Sequence, residues 1–347
     1  MKKLVVFILA AYSCGCLKAG EHVLAVSPHP DGRHAFLLVE RSYVSFPDTI
    51  NKEAILILDL ESSSKRELYT GAIQGDPLNP LKPSPDGQSL MFNDGNRLII
   101  QDIRSKKILL SREFESPFPM GCEWSPQSDR VCFTDSKGIN VLTIADRQED
   151  LISRPGYYGR AWSSSGEWLI CSDDRGWPQG CSLVLINISS KERRPLFRAS
   201  SGIITYVALM NDDAQALFVI GLIDGKDASV NILKIEDLKT EEIIRSEESG
   251  WPFPQFILTT DKTRLLSDSR DGINVLDIAS GKATKVPFAF SLDSMGLMRR
   301  AFWIYDGLTD EVIIIGESGS IISRSRTEHP GRREAAVSKK SSSTFDL

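Results

Sequence analysis

Short apolar stretches alternate with clusters of Pro, Asp, Gly, Ser and Asn along most of this chain, and the alternation repeats. Ser84-Pro85-Asp86-Gly87 has looser counterparts at His29-Pro30-Asp31-Gly32, Ser125-Pro126-Gln127-Ser128, Ser163-Ser164-Ser165-Gly166, Met210-Asn211-Asp212-Asp213 and Thr259-Thr260-Asp261-Lys262. With the proline slot as anchor, Pro30, Pro85, Pro126, Ser164, Asn211, Thr260 and a weaker Leu308 follow one another at steps of 55, 41, 38, 47, 49 and 48 residues. Five residues after each anchor stand Ala35, Leu90, Val131, Leu169, Ala216, Leu265 and Ile313, all apolar. Seven residues after stand Leu37, Phe92, Phe133, Cys171, Phe218, Ser267 and Ile315, apolar except for the serine. Apolar residues two apart, at a fixed distance from a turn, mark one face of a strand. The turn is made of residues that suit its backbone angles.

A second apolar strand follows in most repeats, as in Leu98-Ile99-Ile100-Gln101-Asp102-Ile103 and Val275-Leu276-Asp277-Ile278, and then a polar turn and a shorter, more polar strand. Each unit therefore reads as four strands: one before the anchor, one after it, the signature strand and an outer edge strand. A lone sheet of this size has two apolar faces and cannot bury both. Units packed side by side in a ring cover each face and leave only short edges. The fold class is all-β, a β-propeller of four-stranded blades. The count is seven, or six with a closing segment, because the last repeat (strands at 302–306, 311–317 and 321–324) shows no clear fourth strand.

Ser-Pro-Asp-Gly between strands, an aromatic just before the turn (Trp124, Trp162) and an apolar-x-apolar strand after it resemble the PD40 (WD40-like) repeat. That repeat is found in TolB-like propellers and in those of prolyl oligopeptidase-like and dipeptidyl-peptidase-like proteins. The resemblance spans residues 22–325 and implies a propeller domain there, without implying an activity, since one scaffold hosts many. Two departures stand out: only two repeats keep Pro-Asp-Gly intact, and no stretch reads as the separate α/β domain of TolB or the α/β-hydrolase domain of the peptidases.

Composition narrows the partners. The chain has 347 residues, 41% hydrophobic and 25% charged, with a net charge of −5. The first 16 residues hold two lysines and no acids, leaving 39 basic against 46 acidic side chains in the remainder. An acidic surface argues against nucleic acid, whose affinity rests on Lys and Arg neutralising phosphates. At the N-terminus, Lys2 and Lys3 precede an apolar run over 4–11 and then Tyr12-Ser13-Cys14-Gly15-Cys16, which reads as a secretory signal over 1–16. The run is too short to span a bilayer. Ala10-Ala11-Tyr12-Ser13-Cys14 resembles a bacterial lipobox, which implies lipidation at Cys14, or at Cys16 in the alternative frame; ordinary secretion with incidental cysteines is the other reading. Export to the periplasm or envelope follows, with membrane contact through a lipid anchor only. Residues 327–347 are polar and read as a disordered tail.

Four further cysteines fall in two pairs of equal spacing, Cys122 with Cys132 and Cys171 with Cys181. In an oxidising compartment each pair invites a disulfide across a hairpin; otherwise they are small buried apolar residues. The search for chemistry yields no catalytic residue, cofactor site or metal site. Gly316-Glu317-Ser318-Gly319-Ser320 lacks the last glycine of a nucleophile elbow and sits between strands. His22, His29, His34 and His329 are the only histidines; His29 and His34 are one hairpin turn apart, and the histidine-rich metal centre of some polysaccharide lyases with TolB-like propellers has no counterpart. Asp135-Ser136-Lys137-Gly138 and Asp268-Ser269-Arg270-Asp271-Gly272 carry oxygen ligands for calcium but equally fit plain hairpin turns. Trp177, Trp251, Phe253 and Phe118 stand in loops, where they serve binding or fill gaps between blades. The expected function is a non-catalytic, monomeric propeller binding an envelope protein or glycan. The alternative is a polysaccharide- or peptide-acting enzyme with carboxylates in the channel.

Overall fold

The structure, a computed structural model, describes residues 17–45, 48–73, 81–114, 120–154, 157–173, 180–221, 228–246, 256–259, 262–269, 272–287, 302–306, 311–315 and 321–326. Blade 1 consists of β1 (Leu17–Pro28), β2 (His34–Ser45), β3 (Asp48–Asp59) and β4 (Lys65–Gly71). Blade 2 is β5 (Leu81–Pro83), β6 (Ser89–Asp94), β7 (Arg97–Asp102) and β8 (Ile108–Glu113). Blade 3 is β9 (Met120–Trp124), β10 (Arg130–Asp135), β11 (Gly138–Thr143) and β12 (Glu149–Leu151). Blade 4 is β13 (Tyr157–Trp162), β14 (Trp168–Asp173), β15 (Cys181–Asn187) and β16 (Arg193–Ala199). Blade 5 is β17 (Ile203–Met210), β18 (Gln215–Gly221), β19 (Ala228–Lys234) and β20 (Lys239–Ser246), and blade 6 is β21 (Phe256–Leu258), β22 (Arg264–Ser269), β23 (Gly272–Asp277) and β24 (Ala283–Pro287). A last sheet holds β25 (Phe302–Asp306), β26 (Glu311–Ile315) and β27 (Ile321–Arg326).

Every sheet is an antiparallel meander in chain order. First strands neighbour one another, β13 with β9 and β17, and β1 with β5 and β25, so the first strand of each blade is innermost. Six blades have four strands; no fourth strand joins β27 among the described residues. The seven-blade count is thereby corrected to its alternative, six complete blades and a shorter closing sheet beside β1.

The repeated turn has a backbone reason. Its fourth residue takes a left-handed φ in every complete blade: Gly32 at 66°, Gly87 at 70°, Ser128 at 62°, Gly166 at 71°, Asp213 at 66° and Lys262 at 57°. Glycine enters this region freely and other residues at a cost, so the glycine of Pro-Asp-Gly meets a geometric demand that three repeats satisfy without it. The turn after the signature strand repeats as well. Asp59, Asp102, Asn187 and Asp277 each accept the amide of a serine three residues on, at 2.6, 2.6, 2.9 and 2.8 Å.

Each core lies between blades, not within one. Residues five and seven after an anchor face the preceding blade, and the residue between them faces the following one. Leu90 and Phe92 thus pack with Phe36 of blade 1, and Val131 and Phe133 with Met91 of blade 2. Leu169 and Cys171 pack with Cys132 of blade 3, and Ala216 and Phe218 with Ile170 of blade 4. Second strands are therefore apolar on both faces, which the two-column reading captured only for one.

This alternation separates the expected disulfide partners. Cys132 packs in the seam with blade 4, while Cys122 packs in the seam with blade 2. Cys171 faces blade 3 and Cys181 faces blade 5. Across the hairpin Cys132 pairs with Glu123 and Cys171 with Gly159 and Val184. The four cysteines are buried and form no disulfide with one another; the pairing inferred from spacing is corrected to two thiols, Cys132 and Cys171, sharing a seam. Burial, with Glu123 and Cys171 nearby, pushes the Cys132 thiol well up.

Candidate functional site: the turn face and the His29–Asp31–His34 cluster

The anchor turns gather on one face of the ring and bond to their neighbours. His29 Nε2 lies 3.0 Å from the Gly87 carbonyl. The Asp86 amide donates to Ser128 Oγ at 3.1 Å. Gln127 and Arg130 donate to the carbonyls of Ser164 and Gly166 at 3.2 and 2.9 Å. The amide and hydroxyl of Ser164 both donate to Asp213 Oδ2, at 2.6 and 2.7 Å. Lys262 Nζ reaches the Leu209 carbonyl at 3.0 Å. Blades 1 to 6 are thus linked, turn to turn, by bonds between residues 36 to 58 positions apart.

A second set of links lies deeper, between innermost strands. The indoles of Trp124 and Trp162 donate to the carbonyls of Lys82 and Glu123 in the preceding blade, at 2.9 and 3.2 Å. Lys82 Nζ meets Glu123 Oε1 at 2.6 Å, an ion pair bridging β5 and β9. Tyr206 is bonded to the backbone of Leu258, and burial drives its phenol pKa up. The aromatic before the turn is therefore a seam fastener: an apolar body in the core and a polar tip on the neighbouring backbone.

The densest group of potential metal ligands among the described residues is His29, Asp31 and His34, whose ligand atoms all lie within 4.8 Å of one another. It is built on the first anchor turn. Asp31 Oδ1 accepts the amides of Arg33 and His34 at 2.8 and 3.1 Å, closing an Asx turn that fixes its carboxylate. Asp31 Oδ2 meets His34 Nδ1 at 2.7 Å, and Asp31 Oδ1 stands 3.0 Å from His29 Nδ1. His34 Nε2 is 3.7 Å from Asp59 Oδ2 of the neighbouring turn. Burial works against the Asp31 charge, but the Arg33 amide and the two imidazoles together hold its carboxyl below the usual range. Sequence reasoning treated Asp31 as a turn residue and expected no histidine-based site. The usable signal was His-x-Asp-x-x-His across a turn whose Asp side chain folds back toward the second histidine.

On blade 1, Glu53 of β3 is paired directly opposite Glu40 of β2. Burial, opposed by the Ile73 amide and reinforced by Glu40 and Asp94, raises the Glu53 carboxyl above its ordinary value. Asp94 in turn accepts from Tyr69 at 2.6 Å, from Arg97 at 2.5 Å and from the Ala72 amide at 3.0 Å. Burial and the Asp94 carboxylate push Tyr69 up to about 12. Of the calcium candidates, Asp135 caps its own hairpin, accepting the Lys137 and Gly138 amides at 2.8 and 3.2 Å. Cys14, Cys16, Trp177, Trp251, Phe253 and Phe118 lie outside the described residues, as do 316–320.

Comparison with solved structures shows the same fold. Oligogalacturonate lyase in complex with manganese superposes with a TM-score of 0.61 at 13% identity, over 87% of each chain. The β-propeller domain of Cps50 (Swd1) from Myceliophteria thermophila gives 0.60 at 14% identity, over 91% of this chain and 100% of that one. TolB from Acinetobacter baumannii gives 0.50 at 15% identity, over 78% of this chain and 64% of that one. The chain is a β-propeller of the kind seen in TolB and WD40 proteins. No family model matches it, and no curated protein matches its sequence.

Proposed function

We propose that this chain is a non-catalytic propeller, exported and held at the cell envelope through lipid on Cys14 (or Cys16), that binds a protein or glycan there as a monomer. The observation that carries the reading over its enzymatic alternative is what the ionisable groups of the innermost strands are doing. On β9, Glu123 is engaged with Lys82 of β5 at 2.6 Å, across the seam between two blades. A general acid would need a carboxyl held without such a cationic partner. Trp177, Trp251, Phe253 and Phe118 are the side chains proposed to make the contact, since aromatic residues suit sugar or protein surfaces.

The test has two arms. Intact mass of the protein from native membranes shows a diacylated start at Cys14 if the tether is correct, and an unmodified mature chain in the soluble fraction defeats it. Purified protein is then assayed against a glycan array and by in-cell crosslinking, alongside a Trp251→Ala/Phe253→Ala variant. Binding that the variant loses supports the reading; release of new reducing or unsaturated ends from a polysaccharide replaces it with the enzymatic one.

A further inference from the structure

We propose that His29, Asp31 and His34 hold a divalent transition-metal ion of the zinc class at the seam between blades 1 and 2. A carbonyl can only accept, so the 3.0 Å contact with the Gly87 carbonyl places a proton on His29 Nε2. His29 Nδ1 then faces the cluster, accepting the Asp31 amide at 3.1 Å and standing 3.0 Å from Asp31 Oδ1, so two atoms of the ligand type lie side by side.

A metal ion satisfies the whole group. A ligating histidine commonly donates its other ring N–H to a carbonyl or carboxylate, which fixes the ring and raises its basicity. His29 has that arrangement through Gly87. His34 brings a second imidazole to the other oxygen of the same carboxylate, at 2.7 Å from Nδ1 to Oδ2. When a metal takes that place, the ring switches tautomer, with Nδ1 free to ligate and the proton carried on Nε2, which stands 3.7 Å from Asp59 Oδ2. The cluster is also pre-set. His29 is only 11% exposed and packs, tilted, against the core residue Phe36 at 5.4 Å between ring centroids, while the Asx turn holds Asp31. Two imidazoles and a carboxylate favour zinc and its borderline neighbours over calcium or magnesium, which take oxygen-only cages. Because His29 also touches blade 2, occupancy tightens a seam as well as a turn.

The experiment uses the mature chain without a histidine tag, stripped with chelator and titrated with zinc chloride by calorimetry and thermal melting. One ion per chain is expected, with a rise in Tm of at least ~2 °C once zinc exceeds its Kd about 100-fold. Zinc-edge X-ray absorption should show imidazole nitrogens and carboxylate oxygen near 2.0–2.1 Å. His34→Ala and Asp31→Asn should each weaken binding more than the ~10–100-fold carried by outer-sphere partners, while His22→Ala, on exposed β1 surface, leaves it intact. His29→Ala also removes the strut to Gly87; if it fails to fold, the His34 and Asp31 variants still decide. Absence of saturable binding, or binding untouched by His34→Ala and Asp31→Asn, overturns the proposal.

Discussion

The second and fourth strands of a blade share the same antiparallel pairing, yet they live in different environments. Along β6 and β10, at Ser89–Asp94 and Arg130–Asp135, every residue between the strand ends is buried. Along β12 none is, and β4 and β16 each bury one residue, Leu68 and Leu196. The second strand completes two seams at once, whereas the fourth contributes to one and otherwise faces water. Links between outer strands are correspondingly polar, such as the Arg112–Glu149 ion pair at 2.8 Å joining β8 to β12. Exposed pairs of this kind contribute ~0–1 kcal/mol, so ring stability resides in the centre of each blade.

Substitutions test that contrast. Phe218→Ala, in a fully buried second-strand position, should cost about 3–5 kcal/mol by urea unfolding. Leu217→Ala, one residue away but in the next seam, should cost about 2–5 kcal/mol; a value near zero would mean that the two faces are not equally packed. Trp162→Phe keeps most of the apolar body but leaves the Glu123 carbonyl without its indole partner, a loss of about 1 kcal/mol.

Glu53→Gln should act in the opposite direction. Its carboxyl is raised in the folded chain, so at neutral pH ionisation weighs against folding. The variant should therefore be more stable than the parent by less than ~1 kcal/mol at pH 7. That gain should shrink as pH falls through the raised folded value and vanish below the ordinary value of 4.5. Leu151→Ala, at 51% exposure on β12, should change stability by no more than about 0.5 kcal/mol. Adding reductant to the parent should leave its Tm unchanged, since the four buried cysteines form no disulfide with one another; a drop would restore the hairpin pairing.

Much of the fold was legible because a ring of like units repeats its punctuation. The anchor turns of blades 1 to 5, the columns at five and seven residues and the signature strands match observed elements, while Thr260 and Leu308 lie outside the described residues. β1 begins at Leu17, upstream of the expected propeller start at residue 22. What escaped was set by partners far along the chain. Met91, Cys132, Ile170 and Leu217 look like the polar-face slots of a half-buried strand, and only a following blade makes them core. The cysteine pairing failed for the same reason: equal spacing says nothing about which side of a sheet a thiol takes. The His29–Asp31–His34 cluster was half visible, as a local turn. Its fixing contact, to Gly87 across 58 residues, was not.

Cores that straddle consecutive blades also bear on synthesis. At ~5–20 residues per second on the ribosome, a repeat of 38 to 55 residues takes several seconds to emerge. Until it does, the blade before it presents an uncovered apolar face. One such face therefore travels along the growing chain from start to finish. The face of blade 1 lined by Ala35, Leu37 and Val39 waits longest, because the strand beside β1 is β25, near the other end. Helpers that shield apolar surface during translation or export would act for the whole of that interval on the first blade, and only briefly on each later one.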